Sequence, residues 1–204
     1  MMAVIKMDLW LMRWMIPFLV IAPFITVFFF QLEVSQYGVL FALIAGMTLV
    51  QMDEKMNTKR FMHALPIPGS AFLPARALVL VLIGFIWVVI ETIAMLAFGM
   101  DDAFISHPLY HIASQLTLLF VLAPVILGIL TLIKQPVIKW ITLFIAYILI
   151  MAIGSIVLFL GQGLMDYFGS FGFLLAIGFV LVGILLFWLL SMGMNAIRIR
   201  RDLV

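Results

Sequence analysis

Few residues in this chain could do acid–base, nucleophilic or metal chemistry. There is no cysteine, which removes thiol nucleophiles, disulfides and thiolate metal sites. The imidazoles are His63, His107 and His111. His107 and His111 stand at i and i+4 beside Asp101 and Asp102, a pattern that can hold a metal. Pro108 interrupts the turn between them, however, and the two aspartates read as ordinary loop carboxylates. No H-E-x-x-H and no G-x-S-x-G occurs, so the common metalloprotease and serine-hydrolase arrangements are unsupported. No glycine is followed by lysine, so the chain carries no P-loop for ATP. Glu91 is the one acid well inside an apolar run. An ionised carboxylate at that depth costs at least about 2.5–3.5 kcal/mol. It is expected to face a bundle interior, a dimer interface or a water-filled path. It reads either as a contact lining a path or as a neutral, hydrogen-bonded carboxyl packed against Thr92 and neighbouring helices.

The remaining polar chemistry is concentrated in "MDEKMNTKRFMHALPIPGSAFLPAR", Met52 to Arg76. This stretch holds six of the twenty Asp, Glu, Lys and Arg residues and three of the eight prolines, so it stands apart from an otherwise apolar chain. Asp53 and Glu54 come first and Lys55, Lys59 and Arg60 later, the order that suits a helix macrodipole. Asn57, Phe61 and Leu65 recur at i, i+4 and i+8. The pattern predicts a short amphipathic helix from about Asp53 to Ala64. Pro66 and Pro68-Gly69 then stop it, and Pro74 suits the first turn of a new helix. The simpler alternative is a solvated loop whose basic residues only set topology.

The elements that position these residues follow from composition. With 10% charged and 67% hydrophobic residues and a mean hydropathy of +1.35, too little polar surface remains to wrap a water-soluble core; ordinary globular proteins carry about 25% charge. A bilayer core of about 30 Å takes roughly 20 apolar residues in a helix. Six segments meet or approach this: Trp14 to Gln31, Val34 to Met52, Ala77 to Met100, Ile112 to Ile133, Trp140 to Leu160 and Phe168 to Met194. The first is longer than a secretory h-region and lacks a small-x-small cleavage site, so it reads as a retained span. The expectation is an all-α polytopic membrane protein of six transmembrane helices forming one domain over 1–204. It would have an interfacial helix at 1–13, a cytoplasmic segment at 53–74 and a basic tail at 196–204.

Between those spans the charges fall asymmetrically. Lys6 and Arg13 precede the first span, and Lys55, Lys59, Arg60 and Arg76 separate the second from the third. Lys134 and Lys139 lie between the fourth and fifth, and Arg198, Arg200 and Arg201 follow the sixth. All eleven basic residues thus fall on one side, whereas the opposite loops contain Glu33, Asp101, Asp102 and Asp166. By the positive-inside rule both termini are expected in the cytoplasm. The net charge of +2 is spread over four segments and forms no patch for nucleic acid. At the N-terminus, Val4, Met7, Leu11, Trp14 and Met15 recur at three- and four-residue spacing, with Lys6, Asp8 and Arg13 off that face. Such a segment can lie in the membrane interface; the alternative is a ragged extension of the first span.

Asp53, Glu54, Lys55, Leu65, Pro66, Ala75 and Arg76, in that order and leading into a span, resemble the second cytoplasmic-side junction of ABC-2 type transporter permeases. The likeness is greatest to the small six-span bacterial permeases that include exporters of phenol-soluble modulins. The whole chain fits in length, span number and orientation, and the specific motif covers about 25 residues. The resemblance implies a permease subunit of an exporter for an amphipathic or hydrophobic cargo, peptide or lipid-like, in a bacterial plasma membrane. It implies a second permease copy or paralogue and a separate ABC ATPase subunit holding ATP and Mg, with no catalytic residue, metal or cofactor on this chain. The coupling contacts would be Asp53, Glu54, Lys55, Lys59, Arg60, Phe61, Leu65, Pro66 and Arg76, and Glu91 becomes a candidate for the translocation path. The family often has Ser-Arg soon after Leu-Pro. Here Pro68-Gly69 stands there, so a basic contact to the ATPase would fall to Lys59 or Arg60. The alternative class is a non-transporting membrane protein: an immunity protein that sequesters a toxin peptide, or the substrate-binding component of an energy-coupling-factor system. The Trp-, Phe- and Ile-rich first span, with Ala22 as its single alanine, suits the latter poorly.

Overall fold

The computed structural model describes residues 2–30, 37–56, 72–97, 108–168 and 172–202. All of its regular structure among these residues is helical. In order the helices are α1 (Met2–Leu11), a 3-10 turn (Met12–Met15), α2 (Ile16–Phe30), α3 (Tyr37–Met56), α4 (Phe72–Ala97), α5 (Pro108–Leu132), α6 (Pro136–Phe168) and α7 (Gly172–Asp202). Five stretches are long and apolar enough to cross a membrane: Val4–Ile25, Phe72–Ala97, Pro108–Leu132, Pro136–Val157 and Phe173–Arg198. A shorter apolar helix covers Leu40–Gln51, within α3. The chain therefore has the character of a multi-pass helical membrane protein.

Several boundaries have a local cause. Pro17 has no N–H to give to the carbonyl of Arg13, and the N–H of Ile16 donates to that carbonyl instead. The result is the 3-10 turn between α1 and α2, with Leu11 and Ile16 both keeping right-handed helical geometry. Pro108 occupies the first position of α5, where a missing N–H costs nothing. Pro74 likewise lies in the first turn of α4, as its sequence context predicted, although the helix begins earlier, at Phe72. Asp53 to Met56 continue α3 without a break instead of opening a separate helix; the expected amphipathic turn beyond them, to Ala64, lies outside the described residues. The last helix runs on through Arg198 and Arg200 to Asp202, so the basic tail is helical over most of its length.

Contacts fix the direction of each helix. Phe41 stacks on Trp87 at 4.5 Å, and Gly46 faces Leu80 and Ile126, so α3 runs antiparallel to α4. Gly84 faces Leu119, while Leu80 and Ile126 both meet Gly46, which sets α4 antiparallel to α5. Thr117 reaches Phe179 while Gly128 meets Met194, so α5 and α7 run parallel. Tyr110 meets Gly161 and Leu118 meets Gly154, which makes α6 antiparallel to α5. One end of the bundle therefore gathers the start of α1, the end of α3, the start of α4, the α5–α6 connection and the end of α7. Lys6, Lys55, Arg76, Lys134, Lys139, Arg198 and Arg200 all belong to this basic end, and Glu91 belongs to the opposite half.

Helix α5 is the centre of the bundle and packs on α3, α4, α6 and α7. The largest buried cluster draws Leu80, Trp87, Leu119, Leu122, Ile126 and Phe187 together. In lipid such packing rests on van der Waals fit and interhelical hydrogen bonds, because the lipid tails are as apolar as the side chains. The bonds are present. Tyr110 Oη donates to the carbonyl of Val157 at 3.0 Å, joining α5 to α6. Thr117 Oγ1 lies 2.8 Å from the carbonyl of Ala113 and 3.0 Å from that of Phe179, and so can link α5 to α7.

Candidate functional site

Two polar places interrupt the apolar bundle. The first is at the basic end. Helix α1 places Val4, Asp8, Leu11 and Met12 toward the protein, an i, i+4, i+7, i+8 pattern. Asp8, expected off the apolar face, is instead fully buried, because it has a cationic partner in α4. Arg76 Nη2 donates to Asp8 Oδ1 at 3.1 Å, with 3% and 0% of the two side chains exposed. The guanidinium of Arg76 also lies over the ring of Phe72 at 4.7 Å, and that of Arg198 lies over the same ring at 4.6 Å. One aromatic ring at the start of α4 is thus shared by an arginine of its own helix and one from the end of α7. One and two turns before Arg198 on α7, Asn195 and Ser191 are buried as well. Trp14, by contrast, is exposed, and Arg13 lies over its ring and that of Trp10.

This clasp of three helices lies at the root of the proline-punctuated segment. Asp53, Glu54 and Lys55 form the last turn of α3, and Arg76 sits in the second turn of α4. Lys59, Arg60, Phe61, Leu65 and Pro66 lie outside the described residues. Of the residues singled out for this segment, Arg76 alone has a described side chain, and it turns into the bundle. Sequence reasoning did not find Phe72, Asp8 or Arg198 as its neighbours. Asp8 was the available signal: an acid inside an apolar amphipathic run requires a cation once that run packs.

The second place lies in the opposite half, along the seam between α4 and α5. Glu91 is 1% exposed; the indole of Trp87, one turn earlier, is the donor beside its carboxyl, at a geometry too poor for a full hydrogen bond. Thr92, the neighbour expected to pack with it, donates to the carbonyl of Val88 at 2.7 Å. The register that sets Gly84 against Leu119 carries Glu91 to the level of His111 and Gln115 on α5, both buried. Ser114, between them in sequence, is buried too and bonds the carbonyl of His111 at 2.8 Å. The interior setting required of Glu91 by its charge is thus present, within this single chain. His111 belongs to the first turns of α5, whereas Asp101, Asp102 and His107 lie outside the described residues. No cluster of three metal-ligating side chains forms among the described residues.

No family model, curated protein or solved structure matches the chain. The functional reading accordingly rests on the residues and geometry above.

Proposed function

We propose that the chain is the membrane-spanning permease subunit of an ATP-binding cassette exporter of the ABC-2 type, driven by a separate ATPase subunit. The observation that carries the reading is the joint formed by α1, α4 and α7 at the basic end, where the segment from α3 returns. The segment between α3 and α4 leaves from a helix end bearing Asp53, Glu54 and Lys55 and returns at Phe72 and Arg76. At that return point a buried ion pair and a shared aromatic ring tie α4 to α1 and α7. A push on the segment is then felt by three helices at once, as a coupling lever requires. In this reading Asp53, Glu54, Lys55, Lys59, Arg60, Phe61, Leu65 and Pro66 meet the ATPase, and Arg76 anchors the lever's root.

The mechanism is mechanical. ATP with Mg binds in the partner subunit and draws two ATPase subunits together. The 53–74 segment moves, and the helices of two permease copies, or of a copy and a paralogue, tilt to open an apolar path outward. Amphipathic or lipid-like cargo suits a bundle whose described interior has few ionisable groups. The chain sits in a bacterial plasma membrane with six spans and both termini cytoplasmic, the basic end facing the ATPase. The second reading, a non-transporting binding or immunity protein, gives the same segment a topological role only.

Purification of the chain from native membranes in mild detergent separates the two. The expected result is a stoichiometric soluble subunit carrying a P-loop, lost when residues 53–74 are replaced by a Gly-Ser linker. A chain that purifies alone, or with a toxin or small ligand, overturns the permease reading.

A further inference from the structure

Glu91 presents an unusual balance of groups. Its two oxygens are closed off from the surroundings and no well-formed hydrogen bond reaches them among the described residues. Trp87 Nε1, one turn earlier on the same helix, lies beside the carboxyl as a single weak donor, its indole stacked on Phe41. No lysine or arginine of the described helices stands at its level. Helix α2 has no titratable residue over Ile16–Phe30. Helix α3 begins at Tyr37 and carries Asp53, Glu54 and Lys55 only at its far end. Helix α1 contributes Lys6 and Asp8, α4 itself Arg76, and α7 Arg198, Arg200, Arg201 and Asp202, all at the basic end. From α5 come Tyr110, which bonds the carbonyl of Val157 on α6, and His111.

We propose that Glu91 is a proton-binding site: the seam between α4 and α5 closes around the protonated carboxyl and parts when the proton leaves. An ionised carboxylate needs water or several donors to replace its hydration. The closed seam supplies neither, so releasing the proton to water favours the arrangement that lets water in. The polar residues of α5 at the same level, His111, Ser114 and Gln115, then line the opened side instead of an apolar wall. One carboxyl of this kind works as a gate and not as a relay, since a relay needs a series of ionisable groups across the membrane. The inference requires only the bundle geometry and holds whether or not an ATPase drives the chain.

The absence of cysteine makes the test direct. Leu96→Cys and Leu109→Cys place one spin label on each helix at exposed positions of the seam's outer ends. The full chain in vesicles of uncharged phospholipid is stepped from acid to alkaline pH. The label separation is measured by pulsed electron resonance and the carbonyl band of a protonated carboxyl by infrared absorption. The expected result is a longer separation that appears together with loss of the band. In E91Q, a neutral isostere, the part of the band that Glu91 contributes, read as the difference from the chain retaining it, is missing from the start and the separation stays short at every pH; H111Q keeps the response. A separation independent of pH in the chain retaining Glu91 overturns the proposal without reference to any variant. A response that persists in E91Q, or that vanishes in H111Q while the carboxyl band still titrates, also overturns it.

Discussion

Asp8 and Arg76 are each useful only because the other is there. Breaking a buried ion pair by removing one partner leaves the other charge uncompensated and costs about 3–5 kcal/mol, whereas replacing both by apolar groups of similar volume is often neutral. Asp8→Asn should therefore destabilise the bundle by an amount in that range in denaturant titrations of the purified chain. Asp8→Leu combined with Arg76→Met should recover most of the loss. If the single and double variants are equally unstable, the pair is not what holds α1. Tyr110→Phe removes one interhelical bond and should cost on the order of 0.5–1.5 kcal/mol by the same measurement. At this scale the sequence was only half legible. That Glu91 must face inward followed from the cost of burying charge, and the partnership of Asp8 did not follow. Helical periodicity sorts residues by polarity and so sets an aspartate on the wet face; which residue arrives from 68 positions away is a matter of tertiary packing.

The glycines of the long helices separate into two kinds by what stands opposite them. A Cβ on Gly161 would coincide with the hydroxyl of Tyr110, and one on Gly183 would press on the backbone of Thr117 at 3.1 Å. At Gly178 and Gly193 nothing lies within 4 Å. Gly161→Ala should thus displace Tyr110 from Val157 and cost about 1–3 kcal/mol through overpacking. Gly193→Ala should instead gain up to about 1 kcal/mol from helix propensity. Thermal unfolding of the two variants under one detergent condition checks both signs. Five of the six expected spans could be read from apolar run length, because a bilayer imposes a minimum length; the second, Val34 to Met52, corresponds to only the shorter apolar stretch Leu40–Gln51 among the described residues. The helix ends could not be read in this way. Helix α4 starts before Ala77, α6 extends beyond Leu160 and α7 beyond Met194, since helical hydrogen bonding continues past the point where lipid ends. The 3-10 turn before Pro17 was equally hidden: a proline marks a freed carbonyl, but which neighbour satisfies it depends on local geometry.

Taken whole, the molecule gathers Lys6, Lys55, Arg76, Lys134, Lys139, Arg198 and Arg200 at one end. The grouping of basic residues at one end was visible in the sequence as alternation between segments, and the helix directions derived from packing repeat it. Single cysteines at Lys6, Lys134 and Arg200 should all react with a membrane-impermeant thiol reagent from the same face of sealed vesicles, the cytoplasmic one. A cysteine at Leu109 should be closed to the reagent from that face. Reaction of the three from opposite faces would remove the topology on which the coupling reading depends. The proposed lever was legible only as a motif. Its root, the Phe72–Arg76–Arg198–Asp8 joint, depends on three helices meeting, and no local pattern in any one of them announces the other two.

The Asp8–Arg76 pair also constrains the order in which the chain can assemble during its own synthesis. Asp8 leaves the ribosome 68 residues before its partner, on the order of 3–14 s at roughly 5–20 residues per second. Throughout that interval a carboxylate without its cation favours keeping the first helix at the wet surface of the membrane. Docking becomes favourable once α4 has emerged, and the ring of Phe72 gains its second arginine only when the last helix is nearly complete. The helix carrying Asp8 is thus made well before it is secured, and a chain truncated before Arg198 would leave that closure unfinished.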